Sequence, residues 1–563
     1  MLHPTGVDLA KYKYTPFAVN AANALWSPDG RMAAYAGKVG DDWDLFLRAL
    51  DSPTPRQLTH DTGYVEALGW TPDSSHIIYF QHVPGPAVDK LMSVGTVGGE
   101  PDPLWTIPDV SYQALAVSPD AKTAAVLGKG SDGLTDLYIS QPIGSPLRRY
   151  PSSPLASHAV FNSPQMRFSP DGKRLLAIRA GDSGMEESWL LPWPPGSGTP
   201  RKVLEKLPHE GGTPIIGWMP DNRRIVASTD AHLFLADTGS DRLQQLTQGT
   251  GSESEPAVSP DGRSILFAEE RADYDILSMS VADGSTQGLI VTARSESMPA
   301  WAAKANALVY ASDRLGPEDL WLHAADGPDR PLVTRASFSS DPPRWMFGGA
   351  LSPDGSRVIF DVVTSGGKCR LWEASVAGGA PVALLDVSEP GTQFAGDWSP
   401  DGSQFVFLQV QPDGSAGLNV VRTSGGSRAR TLVATGVRSR IPSWSPDGQW
   451  IAYYADDKVW HLISPDGARR RDLVDIDTPN LGYSKDGRTA YGIRSDGSKW
   501  YLFSLDIATA RLRDIRRLDS SLRPASNLNP AIRFTVAPDG KSFAYPIVKS
   551  DSSLWMLQGF EGK

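Results

Sequence analysis

A single cysteine, Cys369, stands in a chain of 563 residues. That excludes an intrachain disulfide framework and any paired-cysteine zinc site. No apolar run approaches the about 20 residues of a membrane-spanning helix, and Met1–Phe17 lacks the apolar stretch of a signal peptide. The expected compartment is therefore the cytoplasm, or the periplasm if the chain is part of a longer protein. Positive charge is also short: 54 Lys and Arg against 64 Asp and Glu leave a net charge of -10. This argues against a dedicated nucleic-acid surface. The arginine clusters Arg148-Arg149, Arg469-Arg470-Arg471 and Arg516-Arg517 read as charged outer strands that block sheet-to-sheet pairing.

Chemistry-bearing motifs are missing as well. There is no Gly-x-Ser-x-Gly nucleophile elbow, no His-Glu-x-x-His and no Gly-rich phosphate loop. The nine histidines are scattered along the chain, and neither a metal nor a cofactor is expected.

What is present is a repeat. A hydrophobic anchor followed by Ser-Pro-Asp-Gly, or a worn version of it, recurs twelve times. Clean copies begin at Trp26, Phe168, Val258, Leu351, Trp398 and Trp444, and worn ones at Trp70, Val117, Trp218, Trp301, Tyr483 and Val536. Ser and Pro set a tight turn, Asp tolerates its third position, and Gly closes it in the left-handed conformation. After each turn comes a strand of alternating apolar residues, such as Trp450-Ile451-Ala452-Tyr453-Tyr454, then a third strand such as Asp319-Leu320-Trp321-Leu322. A short polar fourth strand such as Arg56-Gln57-Leu58-Thr59 ends the unit. The roughly 40 to 50 residue spacing is that of a four-stranded propeller blade. The fold expected is all-β: a β-propeller of twelve four-stranded blades. Most of the 17 Trp fall at the anchor or on the third strand, where large side chains fill the wedge between blades.

The pattern Trp-Ser-Pro-Asp-Gly, Ser312-Asp313-Arg314-Leu315-Gly316 and Asp319-Leu320-Trp321 resembles the WD40-like PD40 repeats of TolB-type propellers. The likeness extends over roughly residues 12 to 560. Lys13-Tyr14-Thr15-Pro16-Phe17 also resembles the opening of propellers attached to bacterial regulators and kinases. TolB-type propellers have six blades, so the resemblance implies two six-bladed propellers in tandem, over residues 1–287 and 288–563. One closed twelve-bladed ring is the alternative. Either way the chain opens with a fourth strand, Lys13 to Val19, that completes a blade left open elsewhere. Two rings would pair that strand with the sixth blade and leave Gly288 to Ala293 to complete the twelfth.

Binding residues are sought where blades differ from one another, since variable loops on a rigid scaffold are how sites are mounted. The segments ahead of each inner strand gather at one mouth of each ring and contribute Glu66, Gln113, Asn162, Glu255, Gln393, Arg440, Asn480 and Asn529. A second candidate is the Pro-stiffened stretch Phe338 to Phe347, read as a partner-binding flap carrying Arg344, Trp345, Met346 and Phe347. The function expected is a non-catalytic binding or scaffolding module for a protein or peptide partner, or a small ligand. It would serve as the sensory or interaction part of a bacterial signalling or envelope protein. The alternative is a propeller lyase or hydrolase, which a cluster of His, Arg and carboxylates at one mouth would favour.

Overall fold

The structure is a computed structural model. It describes residues 12–559 apart from 41, 61–62, 84–87, 108–111, 131, 158–163, 181–185, 209–213, 230, 241, 249–250, 317, 325–326, 339–341, 365–367, 387–390, 412–413, 424–427, 439–440, 479, 497–498 and 519–532.

The Ser-Pro-Asp-Gly turn closes as its residues dictate. Ser27 Oγ donates to Asp29 Oδ1 at 2.6 Å and accepts from Met32 N at 2.9 Å, while Arg31 N donates to the same carboxylate at 3.0 Å. Gly30 sits at φ +70° and donates its N–H to Ser27 O at 2.9 Å, the left-handed corner that a Cβ would strain. The hydroxyl-to-carboxylate bond recurs at Ser169–Asp171, Ser259–Asp261, Ser352–Asp354, Ser399–Asp401 and Ser445–Asp447. A further copy, Ser464–Gly467, makes the same turn between the third and fourth strands of its blade. The turn chemistry is local, so it serves either hairpin.

Each turn links an inner strand to a buried second strand, as in Ala21–Trp26 with Met32–Val39, followed by Asp42–Ala49 and Arg56–Gln57. Among the described residues, ten sheets are four-stranded and antiparallel in this order, and an eleventh has six strands. Apolar clusters lie between neighbouring blades. One joins Leu45 and Leu47 of the first blade to Val65, Trp70, Ile77 and Tyr79 of the second. The anchor tryptophans also bridge blades by hydrogen bonds. The Nε1 of Trp26, Trp218 and Trp398 donates to the carbonyls of Ala257, Arg167 and Ala350, at 3.0, 3.1 and 2.8 Å. The acceptor is each time the residue just ahead of another blade's anchor, which explains why the indole recurs there.

The chain forms two compact units, one of Met1–Arg271 with Ser550–Lys563, the other of Ala272–Lys549. In the first, inner strands pack in turn from Ala21–Trp26 round to Ser252–Val258, which packs back on Ala21–Trp26. In the second, Glu296–Trp301 packs on both Trp345–Leu351 and Thr535–Val536. Each unit therefore closes at six blades.

The expected break near 287 meets a different division, because two strands of 17 residues, Ser264–Ser280 and Ser542–Gln558, each pass through both units. They pair with each other in the six-stranded sheet. The sixth blade of unit 1 is thus Ser252–Val258, the start of Ser264–Ser280, the end of Ser542–Gln558, and Lys13–Val19. The matching blade of unit 2 is Thr535–Val536, the start of Ser542–Gln558, the end of Ser264–Ser280, and Thr286–Ile290. The two closing blades have exchanged their third strands. Among the described residues, no helix is long and apolar enough to cross a membrane.

Candidate functional site

The residue just ahead of each anchor faces the axis of its unit. In unit 1 these are Leu25, Gly69, Ala116, Arg167, Gly217 and Ala257, and all six line one cavity of about 400 Å³. In unit 2 they are Ala300, Ala350, Asp397, Ser443, Gly482 and Thr535, around a cavity of about 350 Å³. Six converging strands leave little room: a Cβ on Gly217 would lie 2.2 Å from the Pro256 carbonyl oxygen. Small or uncharged residues therefore dominate, and Arg167 and Asp397 are the only two charges among the twelve.

In unit 1 a second cavity of about 450 Å³ opens where the inner strands begin, lined by Tyr64, Glu66, His82, Gln113 and Arg167. Arg167 Nη2 lies 3.8 Å from Glu66 Oε1, with both side chains 27% exposed. Glu255, from the sixth blade, accepts the backbone N–H of Asn23, and Asn23 Nδ2 donates to Tyr64 Oη at 2.7 Å. Both Asn23 and Glu255 have left-handed backbones, φ 53° and 54°, within bulges of their inner strands. Such bulges re-aim side chains. Burial and then the charges of Glu66 and Glu270 push the Glu255 carboxyl up to about 7, against the Asn23 N–H and Arg167. Burial likewise raises Glu66, opposed by Arg167. Beside these groups His82 Nδ1 pairs with Asp89 Oδ1 at 2.6 Å.

This carboxyl makes stability depend on pH. Its folded pKa exceeds its ordinary value of 4.5, so the folded state holds the proton more tightly and loses stability as pH rises from about 4.5 to about 7. Glu255→Gln removes that loss. Glu255 is only half-buried, which discounts the gain to about 1–2 kcal/mol at pH 8, with no gain at pH 4. Urea melts at the two pH values measure it; equal effects at both would show that Glu255 titrates normally.

Unit 2 places opposite charges at its axis. Arg533 donates to the carbonyls of Gly349 and Gly396 at 2.8 and 2.7 Å and is buried. Asp397 accepts the N–H groups of Trp398 and Trp444 at 3.0 and 2.8 Å. Burial pushes the Asp397 carboxyl up, opposed by the Arg533 charge; it pushes Arg533 down, opposed by Asp397 and Asp361. Arg533 and Glu255 stand at the same repeat position, three residues ahead of the anchors Val536 and Val258.

Of the residues expected at a mouth, Glu66 and Gln113 line the unit 1 cavity, and Glu255 borders the Asn23–Tyr64 pair. Gln393 is 1% exposed, and its Oε1 accepts Leu371 N at 3.3 Å between blades. Asn480 exchanges two hydrogen bonds with the Phe534 backbone, at 2.8 and 2.9 Å, and lines the unit 2 cavity. Asn162, Arg440 and Asn529 lie outside the described residues. The stretch read as a flap begins the inner strand Trp345–Leu351. Met346 is fully buried in the core there, the Arg344 guanidinium stacks 4.7 Å from the Trp345 ring centre, and Phe347 pairs with Asp361. Sequence reasoning missed Arg167, Asp397, Arg533 and His82. The signal for the first two was a charge one residue ahead of an anchor.

Residues 156–389 match the TolB beta propeller domain family, PD40. The uncharacterized protein Atu1656 of Agrobacterium fabrum is 28% identical over 187 residues, 32% of this chain and 59% of that protein. The uncharacterized peptidase YuxL of Bacillus subtilis is 24% identical over 162 residues, 28% of this chain and 22% of that protein. The chain thus spans less than two thirds of the length of these curated relatives. Among solved structures, a protein of Agrobacterium tumefaciens named as a TolB aligns at 16% identity and TM-score 0.40, covering 50% of this chain and 99% of that one. The tricorn protease aligns at 14% identity and TM-score 0.32, covering 94% of this chain and 61% of that one. Within a chain of repeats that build propeller blades, residues 156–389 thus match the TolB-type, PD40-repeat β-propeller domain.

Proposed function

We propose that the protein is a non-catalytic binding module that receives a protein or peptide partner at the axial mouth of unit 1, as the interaction part of a bacterial signalling or envelope protein. The observation that carries this reading is the convergence of Tyr64, Glu66, Gln113 and Arg167, from three blades, on one cavity of about 450 Å³. The walls are sheet and the polar groups come from the inner strands of three blades, the arrangement of a rigid scaffold carrying a variable site. A guanidinium beside a carboxylate suits a polar partner that offers both an acceptor and a donor, such as a peptide backbone.

A second reading, a hydrolase or lyase, has one observation in its favour. His82, paired with Asp89, borders the same cavity as Arg167 and Glu66, so a His, an Arg and a carboxylate do gather at one mouth. The name of the Bacillus subtilis relative, a peptidase, points the same way over the 22% of that protein that is matched.

Affinity for partners captured on the immobilised wild-type chain should fall at least tenfold on Arg167→Glu, which sets two carboxylates face to face, and hold on His82→Ala. Unchanged affinity for Arg167→Glu would remove the site. Turnover of a peptide and ester panel that is lost in His82→Ala would establish the second reading instead.

A further inference from the structure

Ten of the twelve turns carry Pro two residues after the anchor, and the exceptions, Ala303 and Lys485, both belong to unit 2. In unit 1 five of the six turn prolines, Pro28, Pro119, Pro170, Pro220 and Pro260, line the turn-side cavity. In unit 2 the corresponding cavity has Ala303, Lys304 and Lys485 on its wall. Both lysines are exposed at the rim, and Lys304 Nζ reaches the Pro400 carbonyl at 2.7 Å. The wall carries Trp301, Trp398, Trp444, Pro353 and Pro400 with Tyr483.

A second observation is independent of charge. Trp444 is 5% exposed and lines this cavity, yet among the described residues its Nε1 has no hydrogen-bond partner. The anchors Trp26, Trp218 and Trp398 donate theirs to a neighbouring blade. The Tyr483 hydroxyl, on the same wall, is likewise buried without a partner. Indole N–H is a donor only, and buried donors are normally satisfied. The charged groups at the floor are already engaged: Asp397 by two backbone N–H groups, Arg533 by two carbonyls. Trp444 Nε1 and the Tyr483 hydroxyl are the donors on this wall left without a partner among the described residues.

We infer that this turn-side cavity of unit 2 binds a small monocarboxylate with a flat apolar body. The body lies among Trp301, Trp398 and Trp444, an acceptor on it meets Trp444 Nε1, and the carboxylate stays at the rim with Lys485 and Lys304. The volume, about 350 Å³, lies within the roughly 300–1,000 Å³ range of small-ligand sites. This site is separate from the mouth proposed above for a partner and does not depend on it.

The test titrates the full chain with 3-(4-hydroxyphenyl)propionate, whose phenol oxygen is the acceptor on the body, and with its amide by calorimetry. The acid should bind at least tenfold tighter than the amide. Lys485→Pro restores the residue that the repeat itself uses, so it should fold; it should erase the preference while leaving amide affinity in place. Trp444→Phe keeps the packing, removes the donor and should weaken both ligands. Equal affinities in the wild type, no saturable binding of either compound, or a preference that survives Lys485→Pro would each overturn the inference. A peptide C-terminus carries the same chemistry, so a tripeptide ending in tyrosine is the final arm. Binding tighter than the free acid would make a peptide end the ligand, and weaker binding a free small molecule.

Discussion

Cutting the chain between residues 287 and 288 should give two fragments, neither of which folds alone. A tandem pair of self-contained propellers would survive that cut. Here fragment 1–287 loses Ser553–Gln558, the strand to which Lys13–Val19 pairs. Leu554 and Leu557, both fully buried, go with it, and the loss of each large core side chain costs about 2–5 kcal/mol. The fragment also keeps Ala272–Ile290, which then has no sheet of its own to join. Fragment 288–563 suffers the converse loss of Ile276 and Met279, both fully buried. Such sums match or exceed the roughly 5–15 kcal/mol that hold a domain together. Near-ultraviolet circular dichroism should show no fixed aromatic packing in either fragment, and recovery of that signal when the two are refolded together. A cooperative thermal transition in one isolated fragment would refute the exchange of strands.

Arg533→Met should destabilise unit 2 by about 3–5 kcal/mol, the usual effect of removing one partner from a buried charged group. The Gly349 and Gly396 carbonyls lose their donor, and Asp397 and Asp361 lose the cation that faces them. The defect should depend on pH in a defined direction. Burial already holds the Asp397 carboxyl above its ordinary value of 3.8, and loss of Arg533 raises it further. The folded variant therefore favours the protonated acid, and its stability falls as pH rises through the raised value. Denaturant melts should show a smaller defect at pH 5 than at pH 8. Adding Asp397→Asn should restore part of the loss at pH 8. A defect of equal size at both pH values would mean that Asp397 does not respond to the guanidinium.

Local chemistry was legible in the chain. The turns, the anchor tryptophans and the alternating second strands each follow from a few adjacent residues, and all appear as read. The extra Ser464–Gly467 turn shows the limit of that reading, since a local motif does not say which hairpin it closes. Strand exchange was harder. Other blades place a turn-former between second and third strands, such as Gly133 or Gly414, both at positive φ. Glu269-Glu270-Arg271-Ala272-Asp273-Tyr274 has none, so the strand simply continues; the clue lay in a missing glycine. The site was legible in part. Glu66, Gln113 and Glu255 drew notice because strand starts vary, and the first two line the unit 1 cavity. Arg167 and Asp397 were hidden inside the repeat, and their meaning depends on six strands converging, which no single segment displays. Arg533 follows the undescribed stretch 519–532, where the repeat gives no phase.

The exchanged third strands also set an order of events for a chain emerging from the ribosome. Unit 1 has five of its blades and most of the sixth by Arg271, but its missing strand lies beyond Ser550. At about 5–20 residues per second, that wait lasts on the order of tens of seconds. Throughout it, the row of N–H and C=O groups along Ser264–Ser280 stays open to any passing β-strand. Closure then comes to both units at nearly the same moment, with one 17-residue strand as the latch for each. A ribosome that stalls late leaves no finished half behind. The nascent protein is safe only when complete, and its dependence on chaperones should be concentrated in that interval.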